Sequence, residues 1–491
     1  MTEKQIGFSC ITWEPWGRVI ESLMRTGEIE ISFLIVWRNE QDIFRTSFPE
    51  IKLLIVEDLW MMKVDKNLLL NQKRERIPLK HKLIALQMIE RQCFDNCDFN
   101  LTLKNEFFER MVDYWNNLLA KTDLIVSPSI PHRFFDYALF VSCDINHIKF
   151  ITFQMLPFGS RIIPLLDNID EMPKLGSPCP NSELRQLAAK KISHARKDYK
   201  YAEPAYMAKH RKNRKLRLII KNSLLKLRRN LTLDTLYKFR RPNTYIILGN
   251  VLPWYQKAGW MAIFLLFCKK ILKSKRLAKE CTESSVKKTV EGERYFLFAL
   301  HYQPEETSCP SASVFADQLM TIRWIAGQLP DNHILYVKEH GAQHDFHQEG
   351  SQGRSRGFYQ AVSEIGPRVK LIDSKANTFD LIDQSEGVMT LTGTIGWEAI
   401  QRGKPSLVFG RSWYETHPMC LRVSEHDREI DFEAFLSKDV CSDRENLNWH
   451  EWLLANSIHA KHYKGWISNT DITIEQSARN LSDFLLGEVL G

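Results

Sequence analysis

The chain has 491 residues, of which 44% are hydrophobic and 26% are charged, and its formal net charge is +8. This length favours two domains, and the composition excludes an intrinsically disordered protein. The longest apolar run, Trp260–Cys268, is far shorter than the roughly 20 residues that a membrane-spanning helix needs. We interpret the run as a buried helix, with contact to a membrane surface as the alternative. No signal peptide is predicted, because Met1–Gly7 has no basic segment followed by an apolar one.

The first part of the chain, residues 1–165, alternates short apolar runs with helical patterns. The predicted strands are Gln5–Thr12, Glu30–Trp37, Ile51–Glu57, Asp123–Ser127 and Ile148–Met155. The predicted helices are Pro15–Arg25, Lys80–Lys121 with an interruption near Asn96–Thr102, and Arg133–Val141. Strands that alternate with helices indicate a parallel sheet with helices on both faces.

Residues 166–292 are polar, basic and predicted to be mostly helical. Between Lys190 and Arg241 there are 18 Lys/Arg residues and three acidic residues, a net charge of +15, so the rest of the chain carries −7. Apolar residues recur at helical spacing among these basic residues, at Leu216, Ile219, Ile220, Leu224 and Leu227. The pattern predicts a basic amphipathic helix suited to an anionic membrane surface, with a solvated helical face as the alternative.

The alternation of strands and helices returns after residue 293. The predicted strands are Tyr295–Leu300, His333–Lys338, Val369–Asp373, Gly387–Leu391 and Pro405–Gly410. The predicted helices are 312–329, 354–365, 378–384 and 395–402. This order is typical of a doubly wound domain, which binds its ligand beyond the carboxyl ends of its strands. We therefore predict an α/β protein with two Rossmann-like domains, 1–165 and 293–445, facing each other across a cleft. A basic helical insert spans 166–292, and C-terminal helices at 446–491 can cross back to the first domain.

A small, hydroxyl-rich turn follows the predicted strand that ends at Leu391. Thr392 and Thr394 can donate hydroxyl hydrogen bonds, and Gly393 permits close approach of the backbone. The helix that opens there presents free N–H groups, which favour an anion such as a diphosphate. Glu398, one turn into the helix, can accept from ribose hydroxyls. The alternative is an ordinary helix start with Thr as the N-cap.

Two further strand ends carry polar residues. Lys338 and His340 stand at the end of one predicted strand, where His340 can donate to a phosphate or protonate the departing one. His301 and Glu305 follow the first strand of the second half and are predicted to face the acceptor. A structural role for each of these side chains is the alternative.

In the first half, residues 127–137 follow a strand and open a helix. His132 and Asp136 are four residues apart, which predicts that they share one helix face. Asp136 is the preferred general base for an acceptor hydroxyl, ahead of His132. The alternative is that Asp136 pairs with Arg133 or caps the helix. Arg161 is a candidate partner for an acidic sugar.

Three segments, 298–305, 335–340 and 391–410, resemble the capsule polysaccharide biosynthesis family. That family is related to the bacterial β-Kdo transferases, which are glycosyltransferases with two Rossmann-like domains (GT-B). The resemblance implies that His340, Thr392 and Thr394 hold the phosphate of a CMP-sugar. The family has a His-Pro pair where this chain has His340 followed by Gly341.

We therefore predict a cytoplasmic glycosyltransferase of capsule or lipopolysaccharide synthesis, peripheral to the membrane, that transfers a sugar such as Kdo to a glycan or lipid-linked acceptor. No metal ion, other cofactor or nucleic acid is predicted to take part. No CxxC pair occurs among the ten cysteines, which indicates reduced thiols and no zinc site. The alternatives are a CDP-alcohol-dependent polyol-phosphate transferase and a non-catalytic assembly protein of the same fold.

Overall fold

The computed structural model describes residues 3–60, 64–65, 68, 76–92, 101–174, 183–189, 259–303, 305–344, 353–463 and 471–490. The basic segment between Lys190 and Arg241 lies outside these residues, and so does its predicted amphipathic helix.

The first sheet is formed mainly by the N-terminal part of the chain. Its strands are β1 (Lys4–Ile11), β2 (Ile29–Val36), β3 (Leu53–Ile55), β4 (Leu124–Val126), β5 (Lys149–Met155), β6 (Arg161–Leu166) and, from the C-terminal region, β13 (Ile458–His459). Their order across the sheet is β13-β6-β5-β4-β1-β2-β3. The strands β1 to β5 pair in parallel, as predicted.

One edge of this sheet differs from the prediction of a wholly parallel sheet. The strand β6 pairs with β5 in antiparallel fashion, and β13 pairs with β6 in the same way. The connection between Met155 and Arg161 is too short for a parallel crossover, so only a hairpin is possible there. Gly159 supports that hairpin with a φ of +77°.

The second sheet is wholly parallel. Its strands are β7 (Arg294–Ala299), β8 (His333–Lys338), β9 (Val369–Ile372), β10 (Gly387–Thr390), β11 (Ser406–Val408) and β12 (Cys420–Arg422), in the order β12-β11-β10-β7-β8-β9. From β7 the chain builds the sheet toward β9 and then crosses to β10 on the other side. The carboxyl ends of β7 and β10 therefore form a topological switch point, where ligands bind in such sheets.

Helices fill the connections between the strands. In the first part of the chain they are α1 (Trp13–Met24), α2 (Gln41–Ser47), α3 (Val56–Trp60), α4 (Leu79–Gln92), α5 (Leu101–Leu118) and α6 (Phe134–Ile145). Further along they are α7 (Gly259–Glu283), α8 (Gln318–Ala326), α9 (Phe358–Ser363), α10 (Thr378–Gln384), α11 (Thr394–Gln401), α12 (Phe432–Leu436), α13 (Asp443–Ala455) and α14 (Ile474–Leu490). The apolar run Trp260–Cys268 lies in α7. Within the described residues, no helix combines the length and apolar character needed to cross a bilayer.

The C-terminal region returns to the first sheet. Besides the pairing of β13 with β6, α14 packs along α1. The Lys149 Nζ atom donates to the Glu488 carboxylate at 2.8 Å, and the Asp471 carboxylate accepts from the Ser160 N–H and hydroxyl at 2.6 and 2.8 Å. The last helix is therefore part of the first domain's core.

The two halves are in direct contact. Lys80, from α4, forms ion pairs with Asp170 at 2.7 Å and with Glu425 at 2.8 Å. The buried Arg411, which follows β11, donates to the Ile169 carbonyl at 2.6 Å. Because Lys80 belongs to the first domain and Ile169 follows its strand β6 directly, these contacts hold the carboxyl ends of β11 and β12 against the first half.

Candidate functional site

Three of the predicted site residues follow neighbouring strands of the second sheet. His301, His340 and Thr392 lie just after β7, β8 and β10. Since these three strands are parallel and adjacent, their carboxyl ends meet at one edge. The structure thus brings these residues together at the switch point of the second sheet.

His301 contacts the turn after β10 directly. Its Nε2 atom lies 3.2 Å from the backbone nitrogen of Thr392 and 3.3 Å from the Thr392 hydroxyl. The hydroxyl itself donates to the Thr307 carbonyl. The Thr392 hydroxyl therefore donates its hydrogen bond within the protein, whereas the prediction had it donate to a phosphate.

The His301 imidazole is neutral at physiological pH. Burial, together with the nearby His340 and Arg354 side chains, lowers the pKa of His301 to about 3. The prediction assigned His301 to the acceptor side, whereas it lies between the Thr392 turn and the His340 loop.

The helix α11 begins in the turn after β10. Its N-cap is Gly393, with φ −72° and ψ 150° and no side-chain cap. The alternative in which a threonine caps the helix is therefore wrong. Thr394 is exposed as the first helical residue, and Glu398 is half-buried one turn later. The N–H groups of Thr394 and Ile395, at the start of the helix, have no acceptor one turn earlier, which favours an anion, whereas the Gly396 N–H donates to the Gly393 carbonyl at 3.1 Å.

The loop that carries His340 is held by a buried ionic cluster that the sequence analysis did not identify. Glu339 accepts from the His340 N–H at 2.7 Å, from Arg354 Nε at 2.8 Å and from the Tyr359 hydroxyl at 2.6 Å. Burial alone would raise the pKa of Glu339, but attraction to Arg354 outweighs it and holds that pKa below its usual range. Arg354 also donates to the His301 carbonyl at 3.0 Å, which links the two histidine loops.

Lys338 is not part of this group. Its buried Nζ atom donates to the Ser374 carbonyl at 2.9 Å, beyond β9. Burial lowers the pKa of Lys338. The side chain thus caps the neighbouring loop and does not reach the Thr392 turn by any described hydrogen bond.

In the first half, Asp136 is engaged by Arg133. The carboxylate accepts from the Arg133 backbone N–H at 2.6 Å and from its guanidinium at 2.9 Å. Burial raises the pKa of Asp136 to about 6, although Arg133 opposes the shift. Asp136 therefore pairs with Arg133 and caps the start of α6, as the alternative interpretation predicted.

The prediction that His132 shares a helix face with Asp136 is wrong. The helix α6 begins at Phe134, so His132 lies in the extended segment before it. Its Nδ1 atom lies 2.7 Å from the Ile130 carbonyl. Burial, with a contribution from Arg133, lowers the pKa of His132 to about 3.

Glu306, in the segment after β7, was missed in the sequence. Burial raises the pKa of this half-buried carboxyl to about 7, and the charges of Arg411, Arg133 and Asp136 act on it. Its neighbour Thr307 accepts the hydroxyl of Thr392. The segment after β7 therefore contacts the Thr392 turn and carries a carboxyl whose pKa responds to charges of both halves.

Two other predicted residues have local partners. The exposed Glu305 accepts from the Thr307 hydroxyl at 3.0 Å. Arg161 donates to the Leu454 carbonyl at 3.2 Å and to the Ser457 hydroxyl at 3.0 Å. A guanidinium at the carboxyl end of α13 is favoured by the helix dipole, so the contacts of Arg161 are with the C-terminal region.

A cavity of ≈ 150 Å³ lies between the halves, at the carboxyl ends of β11 and β12. It is lined by charged residues from both halves, including Lys80, Asp170, Arg422 and Glu425. Its volume is below the roughly 300–1,000 Å³ of ligand pockets. Among the described residues, no group of three or more His, Cys, Asp or Glu side chains is arranged to hold a metal ion.

The fold and the switch-point site define an α/β protein with two Rossmann-like sheets. The family model described as "Capsule polysaccharide biosynthesis protein" matches residues 225–427, less than half of the chain. The resemblance to the capsule polysaccharide biosynthesis family is confirmed over this segment, which contains His301, His340 and the Thr392 turn.

Several solved structures resemble the chain at low sequence identity. No curated protein matches the sequence. One similar structure is the β-Kdo 2,7 transferase of KpsC from Thermosulfurimonas dismutans. It is 10% identical to this chain, with a TM-score of 0.28, and the match covers 98% of this chain and 100% of that one. The β-Kdo 2,4 transferase of the same KpsC is 9% identical, with a TM-score of 0.29 and coverage of 68% and 88%. UDP-GlcNAc 2-epimerase from Neisseria meningitidis is 11% identical, with a TM-score of 0.21 and coverage of 99% of each chain. The TM-scores of all three are below 0.3.

Proposed function

We propose that this chain is a metal-independent glycosyltransferase of the GT-B type that acts in the synthesis of a capsule or related surface polysaccharide. It takes a sugar from a nucleotide-linked donor and transfers it to a glycan or lipid-linked acceptor. The family match over residues 225–427 supports the connection with capsule synthesis. The resemblance favours a CMP-linked donor such as CMP-Kdo.

One observation carries the proposal: His301, His340 and the Thr392 turn converge at the switch point of the second sheet. In this position the first N–H groups of α11 and the exposed Thr394 hydroxyl can hold phosphoryl oxygen. His340 follows β8, on the other side of β7 from this turn, and is proposed to donate to the same phosphate. Glu398, one turn into α11, is proposed to accept from the ribose hydroxyls.

The first half supplies the acceptor side. Asp136 is proposed as the general base that takes the proton of the acceptor hydroxyl. A pKa of about 6 leaves this carboxylate ionised at neutral pH and more basic than an ordinary aspartate. The Arg133 guanidinium, 2.9 Å away, orients the carboxylate.

The first test of this function is ligand-induced thermal stabilisation. CMP, UDP, GDP and CDP are each added in excess to the full chain, and the melting temperature is followed. A ligand at 100 times its Kd stabilises the folded state by about 2.7 kcal/mol, which raises Tm by a few degrees. The variant Thr394→Ala/His340→Ala is expected to lose this response.

The control is Thr378→Ala, which changes the first residue of α10 beside the edge strand β9. It is expected to keep the full response to the nucleotide. Product analysis with the stabilising nucleotide's sugar conjugates then identifies a new glycosidic bond. If none of the four nucleotides raises Tm of the wild-type protein, the proposed function is wrong.

A further inference from the structure

The two ring nitrogens of His301 have different surroundings. Nε2 lies 3.2 Å from the Thr392 backbone N–H, which can only donate. Nε2 must therefore present its lone pair, and in a neutral imidazole the proton then resides on Nδ1. The Thr392 hydroxyl does not alter this assignment, because it donates to the Thr307 carbonyl.

The Nδ1 atom of His301 is buried and has no hydrogen-bond partner in the part of the chain that the structure describes. The whole residue is only 6% exposed. Two residues further along, both amide atoms of the buried Gln303 also have no partner. Buried polar groups are nearly always paired in folded proteins, so this cluster at the end of β7 indicates a bound molecule.

The backbone of the turn at Gly393 lies in close contact with the His301 ring. A Cβ atom on Gly393 would lie 3.2 Å from Cε1 and 3.3 Å from Nε2 of His301. The glycine therefore allows the imidazole to lie against the N-terminus of α11. The ring lies beside the anion-favouring N–H groups of that helix.

We propose that His301 is a binding residue for the nucleotide-linked donor, and that its Nδ1–H donates a hydrogen bond to a phosphate oxygen. This inference rests on the proposed function and deepens it, since it moves His301 from the acceptor side to the donor phosphate. The N–H groups of α11 supply the positive potential, and the neutral imidazole supplies a directed donor. Its surroundings fix the tautomer before the ligand arrives.

The tautomer is tested by NMR on the full chain labelled with ¹⁵N-histidine. Long-range ¹H–¹⁵N spectra distinguish an imidazole protonated at Nδ1 from one protonated at Nε2, and loss of one of the 15 histidine patterns in His301→Gln assigns the signal. We expect the Nδ1-protonated pattern, with a shift of Nδ1 on addition of CMP and none on addition of cytidine. An Nε2-protonated pattern, or an unchanged His301 signal while CMP stabilises the protein, overturns the inference and leaves the proposed function intact.

The contribution to affinity is measured by calorimetry with CMP. Loss of one hydrogen bond to a charged group predicts that His301→Phe binds CMP roughly 10- to 100-fold more weakly. The matched control is His333→Gln, a buried histidine at the opposite end of β8 that pairs with Glu386 at 2.6 Å. It is expected to bind CMP like the wild type, and unfolding curves verify that both variants fold. Equal affinity of His301→Phe and wild type contradicts the inference, whereas failure of CMP and UDP to bind the wild type removes the proposed function and the inference with it.

Discussion

The Arg354 guanidinium and the Glu339 carboxylate form a fully buried two-point ion pair, with Nε–Oε2 at 2.8 Å and Nη2–Oε1 at 3.1 Å. The same guanidinium donates to the His301 carbonyl, and the same carboxylate accepts from the His340 N–H. The pair therefore ties together the loops after β7 and β8. The relative position of the two histidines depends on it.

Breaking this pair is expected to be costly. In Arg354→Gln the Glu339 charge stays buried without its partner, which predicts a loss of about 3–5 kcal/mol in the free energy of unfolding. Urea unfolding followed by circular dichroism measures it. The control Arg110→Gln removes a partly exposed pair with Glu106, for which a loss of about 0.5 kcal/mol is expected. A loss below about 1 kcal/mol in Arg354→Gln would show that the pair does not stabilise the fold.

Gly393 is predicted to tolerate no side chain. A Cβ atom there would lie 2.8 Å from the Thr390 hydroxyl oxygen as well as against His301. We expect Gly393→Ala to lower the free energy of unfolding by about 1–3 kcal/mol, because the added methyl group overpacks the turn. The variant should also bind the nucleotide more weakly, because His301 is displaced. The comparison is Gly366→Ala, where a Cβ atom meets open space and the change stays within about 0.5 kcal/mol. Identical behaviour of the two variants in unfolding and in calorimetry would contradict this prediction.

Glu306 predicts a dependence of stability on pH. Its pKa rises from an ordinary 4.5 to about 7 in the folded chain, chiefly by burial. Between these values the folded state binds more protons than the unfolded state, so this group's contribution to stability falls as pH rises from 4.5 to about 7. Glu306→Gln removes that fall. The free energy of unfolding of the variant should therefore rise, relative to that of the wild type, by on the order of 2–3 kcal/mol across this pH range.

Urea unfolding at several pH values between 4.5 and 7 measures the difference. The exposed carboxylate of Glu429 provides the control, because Glu429→Gln should give a curve parallel to that of the wild type. A constant difference between Glu306→Gln and wild type at all pH values would exclude a raised pKa at Glu306.

Asp471 is predicted to hold the C-terminal region on the first sheet. Its carboxylate accepts two short hydrogen bonds from Ser160, in the hairpin between β5 and β6. Asp471→Ala is expected to lower the free energy of unfolding by about 2 kcal/mol. This is less than the contribution of two fully buried hydrogen bonds to a charged group, because solvent reaches the site. Asp483→Ala, on the exposed face of α14, should change stability by less than about 0.5 kcal/mol. Equal costs for the two variants would refute the role of Asp471.

The sequence predicted the second sheet well because its parallel strands are buried on both faces. Such strands are continuous apolar runs, and His333–Lys338 is found with the predicted bounds. The strand β6 was missed because Arg161 and Pro164 interrupt its apolar pattern. The end of the predicted strand Ile51–Glu57 instead begins the helix α3, which starts at Val56.

The site was predicted only where its residues follow strand ends. His340 and the Thr392 turn were proposed from that position, and the order of the strands brings their ends to one edge, while their roles stay predictions. Arg354 lies in an irregular segment and is recognisable only from the buried partner that it meets. The raised pKa of Glu306 depends on burial between the halves, which no local pattern records.

The return of the chain through β13 has a mechanical consequence. The polypeptide joins the two halves at two places, between β6 and α7 and again between α13 and β13. The second of these links consists of Asn456 and Ser457 alone, so it holds the end of α13 beside the first sheet. A movement of the two halves relative to each other is therefore expected to pivot near these two residues.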